Sequence, residues 1–392
     1  MAACLFTAAM FISTAAGADV NTTGLAVTDD TVTVGILHSL TGTVAINESS
    51  AVDAEKLAID EINKSGGVLG RQIKVIVQDG ASDWPTFAEK ANVLLNKDKV
   101  AVVFGCYTSA SRKAVLPVFE KSEGLLYYPT YYEGLEASPN IFYTAQEATQ
   151  QNMAAVEWLI KNQGKKTFYL IGSDYIWPRT SNKIAKTTIK KLGGKVLAEE
   201  YYPLGHTQFG SVINKMKFKK PDVILSTVVG GSNVSFYKQL KAAGLSGEKA
   251  TIMALAVSEE EVRAIGPQNV AGVYASMGYF QSLDNAANKK FVEAFKAKYG
   301  KDRVIGDVME CAYISPYLWK MAVEKAGSFD VEKVAAAMGD IEFDAPEGEI
   351  KVHGKNHHLY KYSRIGRIQP DGQVKILYET ELIEPNPFPK LK

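Results

Sequence analysis

Three stretches concentrate side chains able to grip a small polar molecule: Gly105-Cys106-Tyr107-Thr108-Ser109-Ala110-Ser111, Tyr127-Tyr128-Pro129-Thr130-Tyr131-Tyr132-Glu133-Gly134, and Ile171-Gly172-Ser173-Asp174-Tyr175-Ile176-Trp177-Pro178-Arg179. In the first, hydroxyls run from an apolar strand into a helix start, so Ser109 and backbone N–H groups can converge on an acceptor such as a carbonyl oxygen. The same residues also fit an ordinary Ser or Thr helix cap. The second places four tyrosines in six positions. Each offers a flat apolar face with a hydroxyl at its edge, which suits a small planar polar guest held between rings. The third repeats the pattern around Tyr175.

Catalytic and metal chemistry find little support. The five histidines, His38, His206, His353, His357 and His358, form no H-E-x-x-H. Only His353 and His357 have metal-like spacing, and they fall in an expected turn between strands, so they read as solvated loop residues. No G-x-S-x-G elbow, phosphate loop or G-x-G-x-x-G fingerprint is present. Glycines 66, 67 and 70, and the Gly193-Gly194 pair, follow helices and read as C-caps. An amidase or other hydrolase would need a nucleophile with its base, or a metal centre, and neither is visible. The expectation is a binding protein with no catalytic residue, metal or cofactor.

The elements that must carry these stretches alternate. TVTVGIL, QIKVIVQD, KVAVVFG and LLYYP read as strands separated by helices through Glu48 to Asn63, TFAEKANVLLNKD and SASRKAVLPVFEKSEG. A second series starts after Thr144: a helix near Asn152 to Lys161, the strand TFYLIGS, a helix from about Arg179 to Leu192, the strand KVLAEEYY, then DVILSTVVG and its helix. Continuous apolar runs such as Val100 to Phe104 suit strands covered on both faces. GVYASMGYF follows, then helices at Lys289 to Tyr299, Asp307 to Lys325 and Val331 to Met338; from Gly348 the tail reads as strands joined by tight turns. The expected fold is α/β, with two Rossmann-like lobes, several crossings, a hinge and a ligand cleft between them. Residues 31–145 plus about 277–345 form the expected first lobe, and 146–276 plus about 346–392 the second.

The 392 residues carry 44 basic and 43 acidic side chains, a net charge of +1, which removes the cheapest argument for a nucleic-acid partner. Three scattered cysteines, Cys4, Cys106 and Cys311, do not form a disulfide framework. Residues 1–18 are apolar and end in small residues, with Ala16 and Ala18 in an A-x-A relation. That pattern reads as an export signal with its basic n-region missing, and cleavage near Asp19 would deliver a periplasmic chain.

The three stretches, together with GRQIKVIVQDG, ILSTVVGGSN, VSEEEV and FDAPEGEIKV, resemble the type I periplasmic binding-protein family from about Thr31 to the Pro-rich tail. The resemblance is to the branch holding the urea-binding component of ABC importers and the amide-binding sensor of amidase operons. It implies a monomeric solute receptor that delivers urea, or a similar small amide, to an ABC transporter permease. Carried over by motif, the amide contacts fall on Tyr107 and Ser109 of G-C-Y-x-S, Tyr128 and Thr130 of Y-P-T, and Tyr175 of G-S-D-Y. Where the amide sensors carry Thr-Thr before Ser-Glu, this chain has Ala256-Val257-Ser258-Glu259. The loss of a hydroxyl there favours the transporter component. Urea has one acceptor and four N–H donors in a plane, so its pocket wants donors toward oxygen and oxygen acceptors toward both amides. Glu310, on the helix starting near Asp307, is a candidate acceptor, or equally a surface carboxylate. A branched-chain amino acid would need a larger pocket and charge partners, and a receptor that signals without transport fits the same chain.

Overall fold

The computed structural model describes residues 24–390; the apolar stretch 1–18 lies outside the described residues. The first sheet contains β1 (Thr31–His38), β2 (Gln72–Asp79), β3 (Val103–Gly105), β4 (Leu126–Tyr128) and β5 (Ile141–Tyr143), all parallel, in the order β2-β1-β3-β4-β5. Helices α1 (Ala45–Lys64), α2 (Trp84–Asn92) and α3 (Ser109–Lys121) make the crossovers. After α4 (Ala154–Lys161), the second series runs β6 (Thr167–Ser173), α5 (Ile176–Lys191), β7 (Lys195–Tyr202), α6 (Gly210–Lys219), β8 (Val223–Thr227), α7 (Ser232–Ala242), β9 (Ile252–Ala254), α8 (Glu259–Ile265), α9 (Pro267–Val270) and β10 (Tyr274–Met277). These strands pair in the order β7-β6-β8-β9-β10, the same winding as the first sheet.

The remaining chain is shared between the sheets. Helices α10 (Ala286–Tyr299) and α11 (Asp307–Ala326) pack on α1, and α12 (Val331–Ala337) packs on α11. Strands β11 (Glu342–Ala345), β12 (Gly348–Val352) and β13 (Leu359–Tyr360) make a small antiparallel sheet. It meets the first lobe through a bridge between Tyr143 and His358 and a Phe343–Tyr317 ring stack. The chain joins the second sheet only at β14 (Arg364–Ile368) and β15 (Val374–Glu379), both antiparallel, so it enters that sheet after Lys361 and not at Pro346.

Local sequence explains these elements. Ala51, Ala54, Ala58 and Ile62 of α1 are all buried, because spacings of three and four residues share one helix face. The Gly66-Gly67 stop after α1 takes positive φ angles of 106° and 78°, which glycine adopts without a Cβ clash. Short strands β5 and β9, three residues each, and helix α6 escape the periodic pattern. So few residues carry no period of their own, and pairing with a neighbouring strand holds the two strands in place. The tail strands expected from Gly348 onward do not form one unit, since β13 and β14 belong to different sheets.

Among the described residues no helix is long and apolar enough to cross a membrane. Connections between the two sheets run through residues 144–153, 278–285 and 361–363.

Candidate functional site

In each sheet the winding reverses beside the first strand of its series, between β1 and β3 and between β6 and β8. Crevices at the carboxyl ends of such strands are where open α/β sheets collect ligands. Strand β3 ends at Gly105, whose φ is +136° and where an added Cβ would lie 2.2 Å from the Leu37 carbonyl oxygen. Only glycine permits that approach, and it throws Tyr107 to Ser109 to the head of α3. Thr108 caps α3, its hydroxyl accepting from the Ala110 N–H at 3.1 Å, so the Ser109 side chain is not needed for the cap.

Ser109 donates to Glu133 at 2.5 Å and accepts from Arg112 at 3.2 Å. Arg112 is fully buried; it bonds Glu133 at 3.1 Å and Glu136 at 2.7 Å, and Lys113 also pairs with Glu136. Its guanidinium lies 4.4 Å from the Tyr132 ring centre and 4.9 Å from that of Tyr128, close enough for cation–π attraction. Two cations thus meet two carboxylates, and the wall beneath the crevice is electrically balanced. Burial is opposed by Arg112 and Lys113, which hold the Glu136 carboxyl below its ordinary range.

Tyr107 and Tyr131 face each other with hydroxyls 3.3 Å apart and rings at 82°. The Tyr128 hydroxyl is buried and makes no hydrogen bond of good geometry, although Ser109 lies beside it. From the second lobe, Tyr175 heads α5 and approaches Thr108, Tyr107 and Tyr128. Burial, then Tyr107, Tyr128 and Glu133, push its phenol well up. Trp177 packs its ring 5.2 Å from that of Tyr131, completing an aromatic contact across the crevice. A further bridge joins Asn47 of α1 to Glu261 of α8. Glu261 is anchored by Ser258, whose N–H and hydroxyl donate to it at 2.7 and 2.9 Å, and the Ser258 side chain in turn accepts from the Glu261 backbone N–H to complete a capping box.

Tyr107, Ser109, Tyr128 and Tyr175 therefore come together. Thr130 stands one step behind them, its hydroxyl donating to the Cys106 carbonyl at 3.1 Å. Glu310 lies elsewhere, fully buried in the first turn of α11 and accepting from the Glu347 N–H at 3.3 Å. Its neighbours are Glu347, Lys361 and Asp307, and Lys361 pairs with Glu347 at 2.7 Å and donates to the Thr144 carbonyl at 3.1 Å. Asp307 accepts from the N–H groups of Gly278 and Tyr279, each at 2.9 Å. This ionic cluster joins the three connections between the sheets and is no surface carboxylate.

The tyrosine run divides between site and core. Tyr127 stacks on Phe142 and donates to the Met338 sulfur at 3.3 Å; Tyr132 stacks on Tyr143 and bonds His358. Tyr128 and Tyr131 are the members of the run that reach the crevice: β4 turns Tyr127 and Tyr128 to opposite faces, and beyond the strand the chain sets Tyr131 against Tyr107 and Trp177 and Tyr132 against Tyr143 and His358. His357, expected in solvent, instead stacks on Phe142 at 4.2 Å, and burial lowers its pKa. The small sheet folds that turn against β5. Cys106 and Cys311 are both buried and free, and no group of His, Cys, Asp or Glu among the described residues is arranged to hold a metal ion.

Tyr131, Glu133 and Trp177 lie inside the stretches that the sequence marks but carry no assigned contact there, and Arg112, Asn47 and Glu261 lie outside the contacts that the sequence suggests. The spacing of Ser109 and Arg112, three residues apart on one helix face, is a usable signal. Asn47 and Glu261 are 214 residues apart and give none.

Comparison with known proteins agrees with the two-lobed α/β fold. A leucine-, isoleucine-, valine-, threonine- and alanine-binding protein of Pseudomonas aeruginosa is 27% identical over 326 residues, 82% of this chain and 85% of its own length. The branched-chain amino acid transporter substrate-binding protein of Streptococcus pneumoniae, solved with isoleucine, superposes with a TM-score of 0.79 at 21% identity, covering 89% of this chain and 99% of that one. An ABC-transporter solute-binding protein of Rhodopseudomonas palustris, solved with 3,4-dihydroxybenzoic acid, gives 0.82 at 23% identity, covering 91% and 99%. The sequence profile of the periplasmic binding protein domain matches residues 32–392, and with nearly the whole chain inside it the protein belongs to the periplasmic binding protein family.

Proposed function

We propose that this protein is an extracytoplasmic receptor that captures urea between its two lobes and hands it to an ABC permease. The observation that carries the reading is the set of neutral hydroxyls on Tyr107, Tyr131, Ser109 and Tyr128, backed by a charge-balanced wall and faced by Tyr175. Neutral hydroxyls suit a neutral planar amide, donating to its oxygen or accepting from its N–H groups. The Tyr107 and Tyr131 hydroxyls, 3.3 Å apart and in contact with each other, are neutral groups that a small amide could bridge or part. Glu133 already holds Arg112, so it does not call for a ligand ammonium.

Four heavy atoms at a ceiling of about −1.5 kcal/mol each give roughly −6 kcal/mol, a Kd of some tens of micromolar. A branched-chain amino acid is the second reading. It is favoured by the binding specificity of the Pseudomonas relative and by Glu261, a buried carboxylate at the crevice that an ammonium would suit. The relatives named are binding proteins.

Isothermal titration of the chain with urea, acetamide, thiourea and leucine in parallel tests the assignment. Saturable urea binding, stronger than acetamide and weakened in Tyr107→Ala and Ser109→Ala, is the expected result. Leucine binding without a urea signal would transfer the site to the second reading.

A further inference from the structure

The pole of the second lobe opposite the crevice has a chemistry that ligand capture does not use. Helix α6 ends in Lys215-Met216-Lys217-Phe218-Lys219-Lys220. Phe218 is 86% exposed, the most exposed large apolar side chain among the described residues. Beside it, Lys165, Lys217, Lys220 and Lys249 line a shallow cavity of about 300 Å³ with Asp222. Among the described residues none of these four lysines, nor Lys219, forms an ion pair, whereas Lys215 pairs with Glu200. Asp222 is spent internally, accepting from the Lys166 and Thr167 N–H groups at 3.1 and 2.9 Å. Glu248 is the other nearby carboxylate. Lysines near helix C-termini complement the helix dipole, but that does not account for an exposed phenylalanine. Nor does it account for Lys220, which holds the α6 C-cap at φ +47°, a left-handed position that glycine fills at lower cost.

We propose that this pole docks on a lipid bilayer carrying anionic headgroups, with lysines around the cavity engaging lipid phosphates and Phe218 entering the headgroup boundary. A basic cluster alone would fit a free phosphate or an acidic protein equally. The exposed ring among the lysines selects the membrane, because an aromatic flanked by cations gains from an apolar layer directly beneath an anionic one. The pole lies at the start of β6 and β8, a strand length from Tyr175 at the far end, on the order of 20 Å. Docking there leaves the crevice free to open and close.

Sedimentation of the full chain with phosphatidylglycerol-containing vesicles and with pure phosphatidylcholine vesicles tests this proposal. Binding should be confined to the anionic vesicles and fall with added salt. It should weaken on the order of a hundredfold in a Lys217, Lys219, Lys220→Gln triple variant and about tenfold in Phe218→Ser. Both variants are compared in the same full-length background, and circular dichroism and the thermal melt should be unchanged in each, showing that they fold. Equal partition onto both vesicle types, or anionic binding indifferent to the triple variant, overturns the proposal. Binding of glycerol phosphate or polyglutamate as strong as that of vesicles, and unaffected by Phe218→Ser, also overturns it, assigning the lysines to a free anion or an acidic protein.

Discussion

Tyr107 shows what one hydroxyl does in a site made mostly of hydroxyls. It is buried against Tyr131, and burial pushes its phenol well up, so it stays protonated and can donate at any physiological pH. Tyr107→Phe keeps the ring and removes only that donor; urea affinity should fall roughly tenfold with stability nearly unchanged, since one buried partner left unpaired costs about 1–3 kcal/mol. Titration calorimetry beside a thermal melt separates the two effects. Arg112 behaves differently because it serves the wall. Arg112→Met leaves buried Glu133 with only the Ser109 hydroxyl and Glu136 with Lys113 and the Tyr143 hydroxyl, and loss of one partner from a buried ion pair costs about 3–5 kcal/mol. The check is guanidinium chloride unfolding, because urea is the proposed ligand; a loss under 1 kcal/mol would mean that the wall behaves as a surface ion pair.

At the scale of elements, His38 clamps the end of β1 to α1, bonding Glu48 at 2.9 Å and Glu55 at 3.0 Å with all three side chains fully buried. Burial alone would lower the His38 pKa, but Glu55 and Glu48 outweigh it and raise it to about 10. The folded state therefore binds a proton that the unfolded chain releases above its ordinary value of 6.5. The stability it contributes is complete below that value and disappears as pH rises through 10. Melting temperature followed from neutral to alkaline pH should decline in the parent and decline less in His38→Gln. Glu259, at the head of α8, acts with the same sign. Burial raises it from 4.5 to about 8, so the folded state takes up a proton first and stability falls as pH climbs through that window. Glu259→Gln should flatten this portion of the profile, and equal slopes in parent and variant would contradict the assignment.

For the whole molecule, Tyr175, Trp177 and the Asn47–Glu261 bridge all reach across the crevice, so ligand and lobe contacts form together. A ligand that meets both lobes binds the closed arrangement better than the open one and shifts the population toward it. Solution scattering should show a smaller radius of gyration with saturating urea than without. Asn47→Ala removes a closing contact without touching the hydroxyl set, so it should leave the unliganded profile open and weaken urea binding. Identical profiles with and without ligand would exclude closure as the response.

The alternating pattern, the buried face of α1, the glycine stops and the crevice-forming motifs at Tyr107, Ser109, Tyr128 and Tyr175 are legible in the sequence, because period, turn chemistry and strand-end position are local properties. Strands β5 and β9 are not, since three residues have no period and take their place from neighbours. The division of the tyrosine run is also invisible locally: Tyr127 and Tyr132 meet Phe142, Tyr143 and His358 only after distant segments pack. The same holds for Glu310, whose helix position is readable but whose partners Glu347 and Lys361 arrive from the tail. The sequence by itself determined the strand–helix alternation of both lobes and the hydroxyl chemistry at the strand ends. Only the tertiary structure decided which hydroxyls face one another and which charges cancel, because those pairings join residues that chain order keeps far apart.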